Sequence, residues 1–289
     1  MQRRGGGAAV PALYGEVIGD NCETLLILYR YWLGKLNLPH AYRSARVPPG
    51  AICDYLRNLH AHLAERRRDA AWLGCDVNEP LEEAAAALVN RLDPMAARLG
   101  TVDLIVREGG GLLGCNSTAR AFMAPLRPHL ARISRRTAMV IGSGRAARTI
   151  AHVLAESGFR LDILNRRVEH ARQLVQELGP KNGHAAHSLM HPPEIVEHHS
   201  LLVNATPARR DFVPDLRPLL DALVPDAIVY DLAIDPAHTP LLRDANQRGH
   251  RTINGVDILL EKAALSFTDL FRHPAPRIFD RQARLLITP

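Results

Sequence analysis

From Thr137 onward, short apolar runs alternate with stretches whose apolar residues recur every three or four positions. Ala138-Met139-Val140-Ile141 reads as a buried strand, and Ala147, Ile150, Ala151 and Leu154 then mark one face of a helix closed by Gly158. Leu161-Asp162-Ile163-Leu164 predicts the next strand, followed by a helix with Val168, Ala171, Leu174, Val175 and Leu178 on one side and Gly179 at its end. Leu201-Leu202-Val203 and Ala227-Ile228-Val229-Tyr230 read as further buried strands. Thr239-Pro240 opens a helix that Gly249 closes, with Thr as N-cap and Pro in the first helical position. Strands that alternate with helices in this way predict a parallel sheet.

The first half is less regular. Leu13–Ile18 predicts a strand, Glu23–Leu36 and Ala51–Ala64 predict helices, and Glu82–Leu92 an Ala-rich helix. Leu104-Ile105-Val106 and Leu112-Leu113, joined through Glu108-Gly109-Gly110-Gly111, predict a hairpin. A last helix begins near Val256, and no internal repeat is present. The fold class is α/β in two domains: a tail over 1–12, a first α/β domain over 13–124, a second over 125–254, and a helical segment over 255–289.

Composition bounds what such a chain does. With 289 residues, 47% hydrophobic and 23% charged, it is globular and long enough for two modest domains. The formal charge of +6 permits an anionic ligand, but basic residues are scattered and aromatics make up only 5%, so no nucleic-acid partner is expected. Arg66-Arg67-Arg68, between Glu65 and Asp69, reads as a solvated face. Cys22, Cys53, Cys75 and Cys115 form no C-x-x-C pair, which fits a reducing cytoplasm. Met1–Ala12 carries no apolar signal core and no stretch approaches the ~20 apolar residues of a membrane span, so a soluble cytoplasmic protein is expected. His184, His187, His191, His198 and His199 suggest a metal cluster, but Gly183, Pro192 and Pro193 interrupt them, and a polar loop without metal is the expectation.

Gly142-Ser143-Gly144-Arg145-Ala146-Ala147 carries the chemistry. It fits G-x-G-x-x-[GA] between a predicted strand and a predicted helix: Gly142 for the tight turn, Gly144 for backbone approach to a pyrophosphate, and Ala147 for close helix–strand packing. The phosphates would meet free N–H groups at the helix N-terminus. The second strand ends in Asn165-Arg166-Arg167, where an NAD enzyme would place a carboxylate for the ribose 2′-hydroxyl. Arg166 or Arg167 can instead pair with a 2′-phosphate, so NADP is the expected cofactor and the second domain a Rossmann domain.

From about Tyr14 to Phe271 the chain resembles the shikimate dehydrogenase family. The landmarks run in order: Val17-Ile18-Gly19, Gly74 to Pro80, Gly100-Thr101-Val102-Asp103, Gly114-Cys115-Asn116-Ser117-Thr118, the Gly142–Ala147 turn, Asn165-Arg166-Arg167, Asn204-Ala205-Thr206, Asp231 through Thr239-Pro240-Leu241-Leu242, and Gly255 before an apolar helix. The resemblance implies an N-terminal substrate domain, a Rossmann NADP domain, and a final helix that returns to the first domain. It also implies that Ser143, Arg145, Ala146, Asn204, Ala205, Thr206 and Gly255 contribute to the cofactor site, with a small-molecule substrate as the partner and a homodimer as the assembly to test.

The substrate half departs from the family's pattern. Its Asn-Val-Thr-x-Pro-x-Lys stretch reads Asp76-Val77-Asn78-Glu79-Pro80-Leu81-Glu82, which puts Glu82 at the catalytic lysine. Asn-Thr-Asp reads Asn116-Ser117-Thr118, so Thr118 replaces the catalytic aspartate, and Ala-Val-Asn-Thr reads Thr101-Val102-Asp103-Leu104. The two N-terminal serines that take the substrate acid group are missing, with Glu23 or Thr24 near the first. The later tyrosine becomes Ile234 and the last helix's glutamine Lys262. Asp76, Glu82 and Asp103 are then expected to face one cleft with Asn116, where three carboxylates require a cation, either Lys262 or a cationic substrate group. Three functions follow: an NADP-dependent oxidoreductase of an altered small molecule such as an imine or amino compound; an alcohol/ketone oxidoreductase of a cyclic hydroxy acid; and a catalytically silent NADP-binding sensor or scaffold.

Overall fold

The computed structural model describes residues 13–19, 23–65, 72–131, 133, 135–190, 199–206 and 215–288. Met1–Ala12, Cys22, the Arg66-Arg67-Arg68 run, His191 and His198 lie outside these. The described chain divides into two compact units, one reaching to Asn116 and joined by Ala263–Phe279, the other formed by Ser117–Lys262 and the residues from Asp280 onward.

The first unit is a six-stranded sheet of β1 (Tyr14–Ile18), β2 (Ala41–Ala45), β3 (Trp72–Val77), β4 (Arg91–Leu92), β5 (Leu104–Glu108) and β6 (Gly111–Cys115), in the order β2-β1-β3-β5-β6-β4. The first three strands are parallel to one another, β3–β5 and the β5–β6 hairpin are antiparallel, and β4 runs parallel beside β6. Its helices are α1 (Glu23–Lys35), α2 (Ile52–Glu65), α3 (Glu82–Ala86) and α4 (Pro94–Leu99). Ile18, Ile52, Leu56, Trp72, Val77 and Ile105 fill one core.

The predicted Ala-rich helix over Glu82–Leu92 is corrected by this sheet, because the helix stops at Ala86 and Arg91–Leu92 becomes a strand. The edge of the hairpin competes with the helix for the same backbone groups. Asn90 donates its N–H to the Leu112 carbonyl, and its Oδ1 accepts the Leu112 N–H at 2.7 Å. Two satisfied strand-edge hydrogen bonds outweigh alanine's helix propensity.

The second unit holds α5 (Ser117–Leu130), β7 (Thr137–Ile141), α6 (Arg145–Glu156), β8 (Arg160–Asn165), α7 (Val168–Leu178), β9 (Ala185–Ser188), β10 (His199–Asn204), α8 (Arg217–Asp221), β11 (Leu223–Asp231), α9 (Pro240–Gln247) and β12 (Arg251–Ile253). All six strands are parallel, in the order β12-β11-β10-β7-β8-β9. This is the doubly wound order, whose direction reverses between β7 and β10. Helix α10 (Gly255–Phe271) begins in this unit and from Ala263 belongs to the first, where Phe267 lies against Tyr29 and Trp32 with centroids 5.6 and 5.5 Å apart. Helix α11 (Asp280–Ile287) belongs to the second unit and pairs Arg284 with Asp257.

Two of the histidines expected in a polar loop lie in strands instead. His187 lies in β9 and His199 opens β10, and their Nε2 atoms lie 2.9 and 2.6 Å from the two oxygens of Asp162 on β8. Among the described residues no group of three or more His, Cys, Asp or Glu is arranged to hold a metal. Burial would raise the Asp162 carboxyl, but the hydrogen bonds from His199 and His187 and the Arg160 charge outweigh it and hold the group at about 2. A carboxyl depressed below its ordinary 3.8 stabilises the fold above that value. The contribution, about 2 kcal/mol, is lost as pH falls through 2, with about half gone by pH 3. In urea titrations the stability difference between the wild type and Asp162→Asn should therefore shrink by about 1 kcal/mol between pH 6 and pH 3. A constant difference would show that Asp162 titrates normally.

Candidate active site

The turn after β7 brings two glycines to the start of a helix. Gly142 sits at φ +111°, and a Cβ there would stand 3.0 Å from the Ala205 carbonyl oxygen, so the turns after β7 and β10 meet where the sheet order reverses. Gly144 is the N-cap of α6, has no side-chain cap, and leaves the space beside its Cα open. A glycine N-cap brings no side-chain acceptor of its own to the first turn of the helix, which fits a pyrophosphate. Ala147 is fully buried, as close packing on the strand requires. Arg145 and Ala146 form the half-exposed start of α6.

Asn165 ties this turn to the next strand end. Its Nδ2 donates to Ser143 Oγ at 2.7 Å, and its Oδ1 accepts the Arg167 N–H at 3.0 Å. Arg166 and Arg167 are both exposed there. At the other end of the crevice, Asn204, Ala205 and Thr206 form the turn after β10. Gly255 starts α10 with its Cα against the chain, since a Cβ would fall 2.3 Å from the Leu232 oxygen. Asn254 and Asp257 close that helix start with reciprocal side-chain-to-backbone hydrogen bonds of 3.2 and 3.1 Å.

In the first unit Glu82, Asp103 and Asn116 come together at one end of the sheet, where β3 and β6 finish and β5 begins. The Glu82 carbonyl accepts the Val102 N–H, Asp103 exchanges backbone hydrogen bonds with Val77 and Cys115, and the Asn116 amide donates to Thr101 Oγ1 at 3.1 Å. Asp103 and Asn116 are buried, whereas Glu82 is half-exposed at the start of α3. Glu23 is exposed at the first position of α1 and Thr24 half-exposed. Half-exposed Thr118, half-buried Lys262 and exposed Ile234 belong to the second unit.

Asp76 departs from expectation. It does not face open space with the other carboxylates but is fully buried, accepting the Tyr42 hydroxyl at 2.6 Å and, more weakly, Tyr29 at 3.4 Å. Burial, reinforced by the Asp76 charge, holds both phenols well above their ordinary pKa, so they stay neutral donors. The Asp103 charge raises Tyr29 further, as the smallest of these influences. Neither tyrosine stood out in the sequence, because Tyr29 shares the apolar face of α1 with Leu25, Leu28 and Trp32. A tyrosine within such a face is the only local signal.

A doubly wound parallel unit with an uncapped Gly-x-Gly turn, in one chain with a mixed-sheet unit that gathers polar residues at one end, defines a two-unit dinucleotide-binding α/β protein. The model of the shikimate/quinate 5-dehydrogenase family matches residues 126–221. The shikimate dehydrogenase (NADP(+)) of Sphingopyxis alaskensis is 34% identical over 278 residues, covering 95% of this chain and 96% of the relative. That of Rhizobium meliloti is 33% identical over 251 residues, covering 85% and 84%. The chain belongs to the shikimate dehydrogenase family. Among solved structures, shikimate 5-dehydrogenase of Thermus thermophilus, in complex with NADP(H) and shikimate, aligns with a TM-score of 0.75 at 25% identity, over 95% of this chain and 99% of that one.

Proposed function

We propose that this chain is an NADP(H)-dependent oxidoreductase whose small-molecule substrate carries a cationic group, an imine or amino compound, in place of shikimate's acid. One observation supports the substrate half of this reading. Asp76 and Asp103 are buried at one end of the first sheet, at positions where the family's pattern has neutral asparagines. Two carboxylates in a desolvated spot repel each other and any anionic substrate, and a cation relieves both.

Gly142, Gly144 and the first turn of α6 would hold the pyrophosphate, Ser143 and Asn165 would brace that turn, and Arg166 and Arg167 would pair with the 2′-phosphate. Asn204-Ala205-Thr206 and Gly255 would border the nicotinamide end. The bound cofactor supplies a hydride. Glu82 and Asp103 would favour the protonated, hydride-accepting iminium form of the substrate electrostatically, with Asn116 orienting it and Lys262 as the balancing cation. An iminium acceptor becomes an amine and needs no proton for an alkoxide, which removes the task that the family's Lys/Asp pair performs. A ketone or alcohol of a cyclic hydroxy acid is the second reading, favoured by the activities the relatives are named for; Thr118 then leaves Lys262 or a protonated Glu82 as the acid. Loss of the Lys/Asp pair also favours a third, an NADP-binding sensor without turnover.

Nicotinamide fluorescence titration tests the cofactor half. NADPH should bind more tightly than NADH, and Arg166→Ala or Arg167→Ala should each weaken NADPH by about 1–3 kcal/mol while changing NADH little. Equal affinity for the two cofactors, or none for either, would overturn the assignment.

A further inference from the structure

We propose that Asp231 is a positioning residue for the cofactor crevice: its buried carboxylate orients the Asn204 amide and so holds the Asn204-Ala205-Thr206 turn against the phosphate turn. The inference deepens the dinucleotide reading above and rests on it. Asp231 ends β11 directly beside Asn204 at the end of β10, and it is buried. Its Oδ1 accepts from Asn204 Nδ2 and from the Ala233 N–H, each at 3.1 Å, and its Oδ2 accepts the Thr239 hydroxyl at 2.7 Å.

An ionised carboxylate only accepts, so Asn204 must turn its NH₂ toward Asp231 and its oxygen away. That oxygen then takes both groups Thr206 offers, the N–H at 3.2 Å and the hydroxyl at 2.7 Å. The result is an Asx turn. Inside this turn lies Ala205, whose carbonyl oxygen limits the space at Gly142. One carboxylate thus fixes the side of the crevice opposite the glycine turn before any ligand arrives. Its second oxygen serves another purpose: Thr239 caps α9 by accepting the Leu242 N–H at 3.2 Å. The two arms make the positioning role separable from the folding role.

Asp231→Ala removes the acceptor altogether, whereas Asp231→Asn would keep its amide oxygen on Asn204 and the Ala233 N–H, so in the alanine variant the Asn204 amide can flip and release Thr206. Hydrogen exchange on the ligand-free protein should show the Thr206 amide about tenfold faster, and NADPH should bind about tenfold more weakly where circular dichroism shows the variant folded, the size of one lost hydrogen bond to a charged group. Thr239→Val cuts the other arm; it should lower Tm while leaving Thr206 exchange and NADPH affinity within about twofold. Unchanged Thr206 exchange in Asp231→Ala, or equal effects from Thr239→Val, would overturn the proposal. A wild type that binds no NADPH would instead overturn the dinucleotide reading and, with it, the cofactor role given to Asp231.

Discussion

Shikimate oxidation with NADP is expected to run at least about 10²–10⁴-fold slower in this chain than in a relative that keeps the family's Lys/Asp pair, the usual worth of general acid–base assistance. The expectation rests on two positions. The resemblance implies Glu82 where the family's pattern has its lysine and Thr118 where it has its aspartate. A carboxylate cannot replace an ammonium beside a developing alkoxide, because it adds negative charge where negative charge is forming. A threonine hydroxyl, with no useful pKa near neutrality, cannot replace the aspartate. Binding adds a second loss, since Asp76 and Asp103 are both buried in the unit that would receive the acid group. The check is a spectrophotometric assay of NADPH formation with shikimate, repeated with the Glu82→Lys, Thr118→Asp double variant. A slow wild type and a partly restored double variant are the expected pair. Robust turnover by the wild type at neutral pH would mean that these two positions do not occupy the family's catalytic places.

What the sequence disclosed follows the range of the interactions. The Gly142–Ala147 turn was legible because its signals are local: a strand, two glycines, a small residue and a helix period, all within one βα unit. Asn165-Arg166-Arg167 was legible for the same reason. The partners of Asp76 were not, because Tyr42 and Tyr29 lie 34 and 47 residues away. His187 and His199 reach Asp162 across 25 and 37 residues, so they read as loop histidines interrupted by prolines. Strand β4 was hidden differently. Two residues, Arg91 and Leu92, carry no periodicity, and only the unpaired edge of β6 makes them a strand. In the candidate site the residue types were legible while their protonation and burial were not, since those depend on what folds over them.

That distinction decides the last expectation, because a carboxylate in the substrate site and a carboxylate in a surface pair respond differently to neutralisation. With a cyclic imine as substrate and NADPH as reductant, Glu82→Gln and Asp103→Asn should each lower kcat/KM by about 10²–10³-fold, the usual worth of one preorganised electrostatic contact, because each carboxylate holds the substrate as the hydride-accepting iminium. Lys262→Met should lower it as well, if the ammonium balances the acid group. Glu108→Gln is the control: it breaks the exposed Arg91–Glu108 pair, 2.8 Å apart at the far end of β5, and should cost about 0–1 kcal/mol of stability with no loss of rate. Asp103→Asn is the sharper variant, since it keeps the shape of a buried side chain and restores the neutral group of the family's pattern. If it lost imine reduction and gained affinity for a carboxylate substrate, the buried charge would be the determinant of substrate class. Wild-type rates in both acidic variants, or no turnover of any cyclic imine or amino ketone by the wild type, would end the cationic reading and leave the hydroxy-acid oxidoreductase and the silent NADP binder.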